Sequence, residues 1–447
     1  MSVGLEVATA VAFIFAGSAT LFLMPQWIGR LLSFCVILMF IDVAHFTVHG
    51  AQIRIYQPIT LCISIVAILQ GLFRGTHLPL LKISIVYTAL TVLSLAWTID
   101  PKDTEVVAFG QLYLILLLLA VLFAIKLNYV TVDRLLRALA IGAFLSSLAA
   151  VLEFVAALGG VHVQTFRVVG IPWPRPAGLM TEPDWAALVA GIGFFLAYFE
   201  LKRGTFRRLA VAVNAITLIV TAARAVWVSL ILLAIIMLFS KERIRRFAAR
   251  LVPVMVLVVA GVTAFAIAKP NELTRLSPNN VLSSNGSGDE GSANSRLGVV
   301  HLIESQTSTE PVYGFGAGSL AQTVDLPANQ LKFGGGGQLN EGHGDTNLEL
   351  TSLWDGGWIL LGIIVLLLLA WLRCAWRCSA RWPGLFPVSV LLFLDFQFNN
   401  GFRFAFVWVV MGLCAVGATV PAQSPVEVDG PGGSLMIHPR LQGDLAE

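Results

Sequence analysis

Residues 107–125 read VAFGQLYLILLLLAVLFAI, nineteen consecutive positions without a charged side chain. A helix rises about 1.5 Å per residue, so such a run matches the apolar thickness of a bilayer, about 30 Å. The whole chain agrees with that stretch. Of its 447 residues 57% are hydrophobic and only 12% charged, with mean hydropathy +0.81. A water-soluble chain carries about 25% charged residues, so this one lacks the polar surface to cover a globule in water. The net charge of +3, from 29 basic and 26 acidic residues, leaves no basic footprint for nucleic acid.

Working outward, further apolar runs lie near 5–24, 31–48, 59–73, 83–97, 135–158, 185–199, 209–221, 225–239, 251–268, 353–372, 385–398 and 404–420. With 107–125 they predict an all-α polytopic membrane protein of about 12 to 13 transmembrane helices with one large outer loop. Residues 1–268 would carry helices one to ten, 269–346 an extracytoplasmic loop, 347–420 the C-terminal helices and 421–447 a polar tail. The first run lacks a basic flank and a small-residue cleavage site, so it reads as a retained span.

The basic residues orient these runs. If the long loop lies outside, alternation puts three short loops inside. These carry Lys202, Arg203, Arg207 and Arg208; Lys241, Arg243, Arg245, Arg246 and Arg250; and Arg373, Arg377 and Arg381. That is the sign the positive-inside rule requires. Cys35, Cys62 and Cys414 fall in apolar runs and Cys374 and Cys378 in a predicted inside loop, so no outer pair is available for a disulfide.

Outside, residues 159–184 form a proline-rich loop with Arg175, and 279–295 (NNVLSSNGSGDEGSANS) is a polar tract too poor in apolar residues to fold alone. Residues 311–319 (PVYGFGAGS) and 334–337 are glycine-rich, without the phosphate-loop pattern, and read as turns. Arg224, in TAARAVW at 221–227, is wedged between apolar runs. An arginine at the hydrocarbon costs about 2.5–3.5 kcal/mol on insertion scales, which makes it a functional candidate. His343 precedes the eleventh run, where Asp345 or Thr346 is expected to cap the helix and its imidazole could take a proton from a hydroxyl. Arg175, Arg224, Arg296 and His343 all fall on the predicted outer side, a set suited to a lipid-linked phosphate or pyrophosphate. A rival set, Asp42, His45 and His49, has i, i+3, i+7 spacing along one helix face and would suit a proton path or metal.

Four stretches resemble the O-antigen ligase and polymerase superfamily of bacterial membrane glycosyltransferases. They are RPAGLMTEPDWAA (175–187), TAARAVWVSL (221–230), SRLGVVHLIESQTSTEPVYGFGAGS (295–319) and HGDTNLELTSLWDGG (343–357). In the last, Gly344, Asp345 and Thr346 separate His343 from Asn347, where the family pattern has Asn directly after the histidine; His301 is the fallback. The resemblance implies a multi-pass enzyme of the bacterial inner membrane. It would move a glycan from an undecaprenyl-pyrophosphate carrier to a hydroxyl of an acceptor glycan or glycolipid, with inversion and with neither metal nor cofactor. It further implies that Arg224 and Arg296, with Arg175, bind the pyrophosphate and that His343 activates the acceptor. The alternative is a transporter or flippase of a polar or lipid-linked solute, expected to carry broken helices or charged pairs near the midplane.

Overall fold

The computed structural model describes residues 3–48, 51–70, 78–161, 165–166, 173–253, 303, 312–320 and 347–419. Among their helices are α1 (Val3–Leu23), α2 (Ile28–Leu38), α3 (Tyr56–Leu69), α4 (Pro79–Leu93), α5 (Pro101–Lys126), α6 (Val132–Leu158), α7 (Pro183–Glu200), α8 (Thr205–Val220) and α9 (Arg224–Leu238). Three more follow, α10 (Leu348–Cys378), α11 (Leu385–Asp395) and α12 (Ala405–Gly417). Two short antiparallel strand pairs accompany the helices. β1 (His45–Val48) pairs with β2 (Ala51–Arg54), His45 opposite Arg54, and β3 (Thr165–Phe166) pairs with β4 (Arg175–Pro176).

The expected 12 to 13 spans are also corrected. Among the described residues four helical segments are long and apolar enough to cross a membrane: Pro79–Ala96, Pro101–Lys126, Val132–Leu158 and Leu348–Cys378. A fifth is reached if Ile14–Leu23 and Pro25–Leu38, bent by 103°, count together. The chain is therefore a membrane protein, with fewer full-length spans among its described residues than their apolar runs suggested. The physical reason is that an apolar run is not a helix length. The run at 31–48 leaves the helix after Leu38, because the N–H groups of Asp42 and Val43 bond the carbonyl of Leu179 and the chain turns into β1. Tyr56–Leu69, Arg224–Leu238, Leu385–Asp395 and Ala405–Gly417 are apolar but short, and a 14-residue helix reaches only about 21 Å. The expected tenth span after 253, most of the loop 269–346 and the tail 421–447 lie outside the described residues.

Local chemistry sets the long helices. Asp100 accepts from Asp103 N–H at the start of α5, with Pro101 at the first position and Lys126 in the last turn. Thr131 caps α6. Asn347, rather than Asp345 or Thr346, caps α10, its Oδ1 3.0 Å from Leu350 N. Cys374 and Cys378 belong to α10 and not to a loop.

At the centre, α12 is buried around nearly its whole circumference, the pattern of a helix enclosed by others. Phe406 stacks on Phe40 at 5.1 Å and on Phe404 at 5.2 Å, and Trp185 meets Phe404 edge-on at 4.8 Å. The three basic loops converge on one end of the bundle. Lys241 Nζ donates to the Trp376 carbonyl at 3.0 Å, Arg243 to that of Phe199 at 3.4 Å, and Trp382 Nε1 to Asp133 at 2.9 Å.

The far end is organised by a break in α10. Gly356 and Gly357 leave helical geometry, Gly357 at φ +62°, ψ −161°. The carbonyls released by this break need partners, since an unpaired buried backbone group is costly. Residues 312–320 supply them: Phe315 N–H bonds the Trp354 carbonyl and Gly316 N–H that of Asp355, both at 2.9 Å. Gly318 N–H then meets Asp355 Oδ1 at 3.0 Å. The glycine-rich stretch is thus a tight turn seated on a broken helix, and a Cβ on Gly357 would lie 2.1 Å from the Val312 carbonyl oxygen.

Two outcomes follow from this packing. Gly357→Ala occupies a backbone region open to glycine alone, at a cost of about 1–3 kcal/mol. It should lower the thermal midpoint in detergent and speed proteolysis within 312–320, whereas Gly362→Ala, where a Cβ meets nothing within 4 Å, should do neither. At the basic end, Glu200 accepts from Gly384 N–H at 2.6 Å. Burial pushes its carboxyl up from 4.5 to about 7, against the pull of the Gly384 N–H and Arg243. The folded chain then holds the Glu200 proton more tightly than the unfolded chain. This contribution to stability is full below about pH 4.5, falls as pH rises towards 7 and is level above. Glu200→Gln should remove that decline, read as midpoints across pH 5 to 8.

Candidate functional site

Away from the basic loops, the polar groups gather around the segment Trp173–Asp184, which leads into α7. Three N–H donors cap the carbonyl end of α8. Trp173 Nε1 donates to Val220 at 3.0 Å, Arg175 Nε to Thr221 at 2.6 Å, and Trp227 Nε1 to Leu218 at 2.8 Å. The last carbonyls of a helix have no partner within it, and a cation there also suits the helix dipole. The second arm of Arg175 donates to Asp184 Oδ1 at 2.7 Å, tying β4 to the start of α7. Two of its N–H groups are therefore engaged in structure.

The turn from α8 to α9 places Ala222 at φ +50°, an uncommon conformation for a residue with a Cβ. Arg224 follows as the first residue of α9, half-buried, behind Ala223, which offers no side-chain cap. The arginine thus sits at the start of a helix, where N–H groups without intrahelical partners favour an anion. Arg175 and Arg224 share this turn through Thr221. Arg296 and His343 lie outside the described residues, as do His301 and His49.

Asp42 and His45 are close, but not on a helix. Asp42 follows the end of α2, so the expected i, i+3, i+7 helix face does not exist. Asp42 is 4% exposed; its Oδ1 accepts from Arg54 Nε at 2.5 Å and its Oδ2 from the Thr181 hydroxyl at 3.0 Å. His45 Nδ1 lies 3.2 Å from the Asp42 carbonyl oxygen. Among the described residues no three His, Cys, Asp or Glu side chains gather as a metal set.

Between the hairpin, α6 and this segment lies a cavity of about 540 Å³ lined in part by Val43, His45, Ala149, Glu153, Met180 and Thr181. Glu153 Oε2 accepts from Gly178 N at 2.6 Å and Ala177 N at 3.2 Å, while Oε1 is buried without a hydrogen-bond partner among the described residues. Gly178, at φ +63°, makes this approach possible: a Cβ there would sit 2.6 Å from the Ser146 carbonyl oxygen. Sequence reasoning missed Glu153 and Arg54. A carboxylate inside the apolar run 135–158 is the same signal that singled out Arg224. Arg54 carried no such signal, because its partner is known only once the hairpin forms.

No protein-family model matches the chain, and no curated protein matches it in sequence.

The buried Asp42 makes the ion pair testable. Arg54→Met leaves a buried charge uncompensated and should cost about 3–5 kcal/mol. The expected lowering of the thermal midpoint should be largely reversed in the double variant Asp42→Asn with Arg54→Met. A double variant no better than the single one would count against the pairing.

Proposed function

We propose that the protein is a glycosyltransferase of the inner membrane of bacteria. It moves a glycan from an undecaprenyl-pyrophosphate carrier to an acceptor hydroxyl at the outer face. The observation that carries this reading is Arg224 at the uncapped start of α9, in a turn whose Thr221 carbonyl is held by Arg175. A guanidinium and a helix N-terminus at one point favour a phosphate group, and Arg matches its oxygens in bidentate fashion. This point lies away from the end where the basic loops meet, in keeping with an active face opposite the basic, cytoplasmic one. In the reaction, Arg224 and Arg296 stabilise the charge that develops on the departing pyrophosphate. Arg175, with two N–H groups engaged, positions the turn and adds its charge. His343 takes the proton of the attacking hydroxyl. The partners are the carrier-linked glycan, the acceptor glycan or glycolipid and the bilayer.

The break in α10 favours a second reading, because discontinuous helices hold substrates and ions in transporters. The carbonyls of Trp354 and Asp355 are, however, already bonded by Phe315 and Gly316, which leaves the break a docking point for the chain itself.

The test is release of undecaprenyl pyrophosphate by the purified protein supplied with carrier-linked glycan. Arg224→Ala should slow release by about 10²-fold or more, the size seen when one charge-stabilising donor is removed. Arg296→Ala and His343→Ala should fall with it, and Arg224→Lys should retain part of the rate. Unchanged release in all three alanine variants would sink the proposal. Longer carrier-linked chains among the products would mark a polymerase, and glycan on a different acceptor a ligase.

A further inference from the structure

The cavity between the β1–β2 hairpin and α6 is too acidic for the pyrophosphate and has its own chemistry. Its polar lining accepts rather than donates. Glu153 holds two backbone N–H groups on Oε2 and keeps Oε1 without a hydrogen-bond partner among the described residues. The Thr181 hydroxyl gives its proton to Asp42, which leaves its oxygen lone pairs as acceptors. His45 Nδ1 lies 3.2 Å from the Asp42 carbonyl oxygen. Asp42 adds no net charge, since Arg54 pairs with it. Glu153 therefore shares this lining with apolar Val43, Ala149 and Met180.

Acceptors on one side and apolar atoms on the other match a ligand that brings hydroxyl donors and a C–H face. They do not match a phosphate dianion, which is itself an acceptor. A volume of about 540 Å³ falls within the usual range for small-molecule sites, about 300–1,000 Å³. We infer that this cavity binds a neutral, hydroxyl-rich sugar, with Glu153 accepting from one of its hydroxyls. Its role as the site for the acceptor glycan rests on the function proposed above, but the binding does not. The Trp173–Asp184 segment joins the two chemistries. Arg175 reaches the turn that carries Arg224, and two residues later Ala177 and Gly178 fix Glu153.

The experiment is saturation-transfer NMR on the full chain in nanodiscs, with methyl glucoside, galactoside and mannoside as probes and inorganic pyrophosphate as the contrast. At least one hexoside should bind. Glu153→Gln keeps an oxygen for Ala177 and Gly178 and presents an amide donor in place of Oε1, so hexoside binding should weaken about tenfold or more. Ala149→Phe, which fills the cavity without touching those bonds, should abolish it. Pyrophosphate binding should change in neither variant and should weaken in Arg224→Ala. No binding of any hexoside, or hexoside binding unchanged in both cavity variants, overturns the inference. Hexoside binding lost in both variants, in a protein that releases no undecaprenyl pyrophosphate, upholds the cavity and defeats the transferase reading. Release that proceeds without any hexoside binding does the reverse.

Discussion

Backbone carbonyls released where a helix ends or breaks inside an apolar bundle must be met by protein, because no water is at hand to take them. Much of the polar structure here answers that constraint. The break in α10 is met by Phe315 and Gly316. The end of α8 is met by Trp173, Arg175 and Trp227. The N–H groups of Asp42 and Val43, just past α2, take the carbonyl of Leu179. Two of these solutions bring the distant segment 173–184, with Arg175, to the ends of α8 and α2.

The same constraint explains how short helices persist in the core. α11 and α12 are too short to cross a bilayer, yet both are buried among longer neighbours, with Phe396, Phe402, Phe406 and Trp408 filling the space between them. Large apolar side chains on α9, among them Leu232 and Ile235, remain exposed, as expected for a surface that faces lipid. Polar contacts occur inside the bundle, as between Ser147 and Asn214, and at its two ends. One end gathers the basic loops. The other carries Arg175 and Arg224 beside the Asp42–Arg54 pair and Glu153.

Residues 173–184 link these features, and their local chemistry divides along the segment. Arg175 is directed to a helix C-terminus and to Asp184, Gly178 allows contact with α6, and Thr181 bonds Asp42. Basic and acidic surroundings therefore lie a few residues apart. Under the proposed reaction, the departing phosphate and the incoming hydroxyl would be handled by different groups.

Composition alone determined that the chain belongs in a membrane, because the scarcity of charge is a sum over residues and needs no partner. The long helices α5, α6 and α10 were legible for the same reason, as was the candidacy of Arg224, which stood out against apolar surroundings; Arg175 was legible by its place in a predicted outer loop. The number of full-length spans was not legible. Whether an apolar run continues as helix depends on groups far away in sequence, as Leu179 does for the chain beyond α2. Nor was the setting of Asp42 and His45, which a helical spacing placed on one face and a hairpin places beside Arg54. Only the tertiary structure decided where α10 breaks and what Glu153 touches, since both follow from hydrogen bonds between segments that hydropathy, a local quantity, cannot register.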